Sequence, residues 1–471
     1  MNEPRHAATP PSRLSRAALA GVLAALAILA ARDLVKLNAG VSWHRMIDLS
    51  VFYCAGSAAA GGADPYASEP VRACEHAFNS GGQWDDPHFA MLVPQPPYDI
   101  LGFELLPRVG PLAAKRLAAV AITAAVVATA LALADLGIPL WAALAALALS
   151  DWFVSVFNGQ IYAFPLACAA LAAACLHRGR DAAAGVFAAL CTIEPQLGAA
   201  IACGVLLLMP RARLALLATA AAMFFAGAAA LGPHAWIEWA TRVIPLEARA
   251  EAQFWPQYSL TSVAAAVGVP VPVALALGTA SSVAILVVAL YLAAKLIRRY
   301  GRPEFAVLVP AAFAPLGGTF VHLAAIAAAV PLALTLPSLS RQSASRADWR
   351  LAAIAVLLAI PWLFAQSMKP LFFSSLLAAV VVVWQLRVAP RPAAGICVAT
   401  AALLYALALH TPPPLTVAAF ASASSSALHL DSTQFDPWRE AAKVPTWTGL
   451  IALLAAALWM ARRPAEAEAS S

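Results

Sequence analysis

Apolar runs recur along this chain from about Leu14 to the C-terminal tail, separated by short clusters of charge. In lipid, a run of ~20 apolar residues satisfies its own backbone polar groups only as a helix. Of the 471 residues, 62% are hydrophobic and 11% charged, more apolar surface than a water-soluble domain carries. The runs are rich in Ala and Leu and lack the two-residue alternation of a barrel strand. The expected fold is all-α, a polytopic transmembrane helical bundle of about 12–14 helices. Helices are expected at 14–31, 116–134, 138–157, 160–177, 182–193, 195–209, 213–231, 271–296, 304–317, 319–338, 351–366, 371–387, 394–409 and 446–461. Several are too short to span unaided, which implies broken or half-helices buried within the bundle.

The formal charge of +6 is read here as a topology signal, with no nucleic-acid partner, because Lys and Arg collect in loops that stay in the cytoplasm. Arg5, Arg13 and Arg16 precede the first run and place the N-terminus inside. No small-residue cleavage site follows, so the first helix reads as retained rather than as a removed signal peptide. Counting alternately from there, "HRGR" at 177–180, Arg211, Arg213, "KLIRRYGR" at 295–302, Arg341, Arg346, Arg350, Arg387, Arg391, Arg462 and Arg463 all fall inside. Three long segments, 32–115, 232–270 and 410–445, fall outside and hold most of the acids. The chain thus reads as one multi-pass domain of a bacterial inner (cytoplasmic) membrane, residues 1–471. Its cytoplasmic tails are 1–13 and 462–471, and its functional face is periplasmic.

Segment 32–115 is too long for a connector, and its nine Trp, Phe and Tyr residues from Trp43 to Phe103 argue for order. It is expected to carry interfacial helices, with "FAMLVPQPPYDILGFELLP" dipping an apolar face into the headgroups. Cys54 and Cys74 share this segment, where an oxidising compartment permits a disulfide that sequence alone does not establish. The other five cysteines lie in helices as small core hydrophobes.

Polar residues set among these apolar runs need a reason. Asp48, in "SWHRMIDLSVFYCAG", reads either as a base able to take a proton from a hydroxyl or as a helix cap or partner of Arg45. Asp151, Asn158 and Gln160, in "SDWFVSVFNGQIY", face a cavity or glue helices together. Glu194 precedes Pro195, so a helix must stop there, and irregular backbone at membrane depth normally lines a cavity. Otherwise Glu194 pairs with a cation of the outer loop. His322 follows two glycines and is either a phosphate donor or a satisfied core histidine. Arg242 and Arg249, in the loop that also contains Gln257, fit a phosphate clamp or the cationic face of an interfacial helix. The chain has no GxxxxGK[ST], GxGxxG, HExxH or paired CxxC motif. No cofactor is therefore expected, and a divalent metal has no specific motif to support it.

In order and spacing these segments resemble glycosyltransferase family 87, the polyprenyl-phosphate-mannose-dependent mannosyltransferases of the membrane-embedded C-type superfamily. "DLSVFYCAGSAAAGGADPY" looks like the family's first outer loop, and Tyr53 within it is carried over as substrate-binding. "LVPQPPYDILGFELLP" is similar to its apolar segment, and "NGQIYAFPLACAALAAACLHRGRDAAAGVFAALCTIEPQLG" to its GQ helix, basic turn and proline break. "PQYSLTSVAAAVG" and "GGTFVHLAA" resemble its later Q-x-S-L and histidine elements. Two departures stand out. Glu194 occupies a position where the family often has Lys, and Gln95 replaces the tyrosine before Pro-Pro.

The resemblance implies an inverting transfer of one sugar, with mannose the family's choice, from a polyprenyl-phosphate donor to a glycan or glycolipid hydroxyl. Asp48 would be the general base. His322, with Arg242 or Arg249, would stabilise the phosphate; Gln160 and Asn158 would orient sugar hydroxyls; Asp151, Glu194 and Gln257 would complete the substrate site. The competing readings are a transporter or flippase for lipid-linked glycans, which would show two pseudo-symmetric halves, and a glycan polymerase or ligase.

Overall fold

The computed structural model describes residues 46–79, 91, 93–252, 257–340 and 443–462, and every regular element among them is helical. The expected helices at 14–31, 351–366, 371–387 and 394–409 lie outside the described residues, as do Arg45 and nearly all of 410–445.

The first outer segment supplies α1 (Ile47–Ala60), α2 (Ser68–Phe78) and α3 (Pro97–Phe103). α4 (Pro111–Asp135) follows, and then a helix that begins as α5 (Leu140–Leu147), widens into a π turn over Ala148–Trp152 and ends as α6 (Phe153–Asn158). α7 (Ala163–His177), α8 (Asp181–Leu190), α9 (Pro195–Leu208) and α10 (Arg213–Leu231) come next. The second outer segment holds α11 (Pro233–Glu238), a π turn at Trp239–Val243, α12 (Ile244–Ala252) and α13 (Leu260–Ala266). α14 (Val271–Tyr300), α15 (Phe305–Phe313), α16 (Val330–Ser340) and α17 (Val444–Arg462) complete the described chain. Pro97, Pro111, Pro195 and Pro233 each open a helix, where the missing N–H costs nothing.

Among the described residues three helices are long and apolar enough to cross a membrane: Pro111–Asp135, Pro210–Leu231 and Val271–Tyr300, with mean hydropathy of 2.4, 2.1 and 2.4. Large apolar side chains stand uncovered on the last two, including Leu214 at 79% exposure, Phe225 at 66% and Val287 at 61%. Water would penalise that display and lipid does not, so the chain is a helical membrane protein.

The structure differs from the sequence expectation in three places. The helix expected at 271–296 runs on through "KLIRR" to Tyr300, because Lys and Arg are good helix formers that extend their charges off the end. The helix expected at 319–338 begins only at Val330. Gly317 and Gly318 leave the chain extended before a 3₁₀ stretch over Leu323–Ala329. Among the described residues of the segment expected to lie on the headgroups, Pro97–Phe103 and the start of a turn at Pro107–Val109 are helical, and α3 packs on α1 and α10. Gly56 permits that approach, since a Cβ there would overlap the Phe103 carbonyl.

The helices share two ends. At one, Arg178 pairs with Asp135, His177 Nδ1 lies 3.3 Å from Glu304, and Arg302 pairs with Glu304. α7 leaves that end at His177, α8 begins there at Asp181 and α15 begins there after Glu304. The opposite ends of the same helices bring Gln160, Glu194 and the Gly317–His322 break together. α17 runs between the two ends: Trp447 donates to the Tyr258 carbonyl, and the Tyr300 hydroxyl donates to that of Met460.

A Cys54–Cys74 disulfide ties α1 to α2, and Asn79 Nδ2 donates to Ser50 Oγ at 3.2 Å across the same contact. Glu75 on α2 is 1% exposed; one oxygen accepts from the Met91 N–H at 3.0 Å and the other has no partner. Burial pushes its carboxyl from the ordinary 4.5 up to about 8. The folded state therefore holds this proton more tightly than the unfolded chain, and stability should fall as pH rises from about 4.5 to about 8. Glu75→Gln, which mimics the protonated form, is expected to raise the melting temperature at pH 8 and leave it nearly unchanged at pH 5. Thermal unfolding in detergent at the two pH values checks this.

Candidate active site

α1 begins at an unusual backbone position. Met46, fully buried, adopts φ 57°, ψ 42°, a left-handed conformation that a non-glycine residue holds only when its surroundings force it. The forcing element is Gly159, also left-handed at φ 74°, where an added Cβ would stand 2.7 Å from that of Leu49 and 3.1 Å from that of Met46. This approach sets the end of α6 against the start of α1. Gln160 Nε2 consequently donates to Asp48 Oδ2 at 2.6 Å. Asp48 lies in the first turn of α1, where unpaired backbone N–H groups favour negative charge. Among the described residues no Lys or Arg pairs with it.

Asp48 lines a cavity of about 280 Å³, close to the lower end of small-ligand sites, ~300 Å³. Gln160, Glu194 and His322 share its wall, so four of the candidates named from the sequence converge. Glu194 reaches it because the chain breaks as expected: Cys191–Ile193 is a 3₁₀ turn, Glu194 is extended, and Pro195 opens α9. His322 reaches it from the Gly317–His322 break. In both places irregular backbone at the end of an apolar helix lines a hollow.

The other candidates are placed elsewhere. Gln257 sits behind the wall, where its Oε1 accepts from the Val321 N–H at 2.6 Å and its Nε2 contacts Glu251 and His322 Nδ1. Asp151, fully buried, accepts from Ser155 Oγ at 2.7 Å within its own helix, and Asn158 ends that helix outside the cavity lining. Tyr53 packs against Phe78 at 4.9 Å. Arg242 pairs with Glu238 and donates to the Tyr66 carbonyl at 3.1 Å, and Arg249 is exposed; neither lines the cavity.

Two carboxylates that the sequence reading passed over do line it. Glu247 and Glu251 stand one turn apart on α12. The signal was their four-residue spacing in "PLEARAEA", overshadowed by the arginines beside them. Burial and the neighbouring acid raise Glu247 well above the ordinary carboxylate range, and burial pushes Glu251 up to about 8. Burial likewise pushes Asp48 up to about 6, against the pull of His322 and the Gln160 bond. Gln95 was missed as well. It is 4% exposed, its side chain hydrogen-bonds Glu194, and its Oε1 has no partner. The two departures from the family pattern are thus partners of each other.

The sequence profile of glycosyltransferase family 87 matches residues 96–316. Over that stretch the chain is similar to glycosyltransferase family 87. It is therefore a glycosyltransferase of the membrane. No curated protein and no solved structure matches the chain. The matched stretch includes Gln160, Glu194, Glu247 and Glu251, while His322 lies just past its end and Asp48 lies well before its start.

Gly159→Ala should force a Cβ into Leu49 and Met46 from a left-handed backbone, at a cost of about 1–3 kcal/mol. The expected result is a lower melting temperature of the purified protein. A variant that melts with the wild type would show that the approach of α6 to α1 is not enforced at this glycine.

Proposed function

We propose that this protein is an inverting glycosyltransferase that moves a single sugar, with mannose the first candidate, from a polyprenyl-phosphate donor to a hydroxyl of a glycan or glycolipid acceptor. The observation that carries the reading is the Asp48 carboxylate on the wall of a cavity, held by the Gln160 amide and without a cationic partner among the described residues.

Asp48 acts as the general base. It takes the acceptor hydroxyl's proton as that oxygen attacks the anomeric carbon, and the polyprenyl phosphate departs from the opposite face. A carboxylate close to neutral in its titration is suited to that transfer. Phosphate is a weakly basic leaving group that needs charge stabilisation rather than a proton, so a second catalytic acid is not required. Gln160 fixes the base and is placed to meet a sugar hydroxyl. Similarity to a family of glycosyltransferases favours this reading over a transporter or flippase.

The cavity end of the bundle faces the periplasm in this reading, and the Arg178–Arg302 end faces the cytoplasm with both termini. The Cys54–Cys74 disulfide on the cavity side supports that orientation, since disulfides persist in oxidising compartments. So does the clustering of Arg178, Arg180, Arg298, Arg299 and Arg302 at the opposite end.

Membranes from cells expressing the wild type or Asp48→Asn, supplied with radiolabelled polyprenyl-phosphate mannose and other sugars, test the proposal. Loss of a general base is expected to lower transfer by ~10²–10⁴-fold with protein level and melting unchanged. Equal transfer by the two proteins would remove Asp48 from the mechanism. Labelling from a different lipid-linked sugar alone would replace mannose.

A further inference from the structure

The cavity presents four carboxylates, those of Asp48, Glu194, Glu247 and Glu251, and among the described residues neither Lys nor Arg lines it. Arg242 and Arg249, the cations nearest in sequence to Glu247 and Glu251, are spent elsewhere or exposed outside it. A hollow so charged repels any anionic ligand unless positive charge enters with it, because opposing charges in a partly desolvated site interact strongly.

The acids are not evenly spread. One ligand atom each from Glu247, Glu251 and His322 lies within 4.8 Å of the others. Calcium–oxygen bonds run ~2.3–2.6 Å, so one ion reaches atoms spaced this far apart, and small side-chain rotations bring them to the shorter bonds of magnesium or manganese. Glu247 has neither a hydrogen bond nor an ion pair among the described residues. Glu251 and His322 are bridged by the Gln257 amide nitrogen, which contacts Glu251 Oε2 and lies 3.1 Å from His322 Nδ1. The Val321 N–H donating to Gln257 Oε1 fixes which end of that amide is the nitrogen. Nδ1 of His322 therefore accepts, keeping an unprotonated lone pair beside Glu251. The positive end of an amide dipole sits where a cation would bridge the two.

A separate observation concerns another lining residue. Gln95, 4% exposed and lining the same cavity, has a buried Oε1 with no donor. Such an acceptor is costly unless an occupant of the cavity satisfies it, and the water bound to an ion is a donor able to do so.

We propose that Glu247, Glu251 and His322 form a site for a hard divalent cation of the magnesium, manganese or calcium class on the wall of the cavity. The ion displaces the Gln257 nitrogen from between Glu251 and His322. It neutralises the two glutamates and keeps open coordination positions towards Asp48 and Gln160. Phosphate oxygens of the donor take those positions, so that the charge gathering on the departing phosphate meets the ion. That last role rests on the lipid-phosphate reading above; the binding of the ion does not.

The test uses the full chain, purified in detergent, stripped with chelator and titrated with Mn²⁺ alone while electron paramagnetic resonance reads the bound ion. One saturable Mn²⁺ per chain is expected, with ¹⁴N coupling from an imidazole that disappears in His322→Ala. Glu247→Gln and Glu251→Gln should each weaken binding by ~10–100-fold, as loss of groups at metal sites does, and Glu69→Gln on the outer surface should leave it unchanged. If either glutamine variant fails to fold, the ¹⁴N coupling and a rise of the wild-type melting temperature with Mn²⁺ decide the matter. Absence of saturable Mn²⁺ on the wild type, or undiminished binding in both glutamine variants, overturns the site. Sugar transfer by a wild type that binds no Mn²⁺ would overturn the metal and leave the transferase standing. Mn²⁺ binding as expected, with chelator leaving transfer untouched, keeps the site and overturns its role at the phosphate.

Discussion

In lipid a backbone that leaves the helix must be buried in protein or must line water, and the rest of this structure follows from where that happens. The chain leaves the helix at Cys191–Glu194 and again over Gly317–His322, each time at the same end of the bundle. The two breaks face each other across one cavity, and each delivers an ionisable side chain to it. Gly159 adds a third element by letting the end of α6 touch the start of α1, which aligns Gln160 with Asp48. The hollow exists because three helices stop short together, and the polar groups survive because the hollow exists.

Charge is divided between the two ends of the bundle in a consistent way. At the end marked by Asp135, His177, Arg178, Arg302 and Glu304, acids and bases meet in close pairs. At the cavity end, acids share one lining in which the described residues include neither Lys nor Arg. Paired charge holds helices in place, whereas unpaired charge in a hollow awaits a ligand. The mutual hydrogen bond of Gln95 and Glu194 belongs to the second kind: it orients a carboxylate without neutralising it.

Much of the bundle was legible because its signals are local. Apolar length marked the helices, proline marked their starts, and the Glu194–Pro195 pair marked a break that the structure contains. The helix expected at 319–338 was less legible, since apolar character persists through residues that the preceding glycines allow to stay irregular. For the site, a polar residue set among apolar neighbours was a sound signal, and it led to Asp48, Gln160, Glu194 and His322. The same signal was silent for Glu247 and Glu251, which lie in a loop of mixed charge where an acid attracts no notice. It drew attention instead to Arg242 and Arg249, whose partners or exposure keep them out of the cavity.

The sequence by itself determined that this chain lives in lipid and where most of its described helices run, because hydrophobicity and helix geometry act over a few neighbouring residues. Only the tertiary structure decided which of its polar groups meet. Asp48 and Gln160 are 112 residues apart, and His322 lies far along the chain from both. Their meeting depends on which helices pack together and where a missing side chain lets two backbones touch, and such contacts leave no periodic trace in the residues that make them.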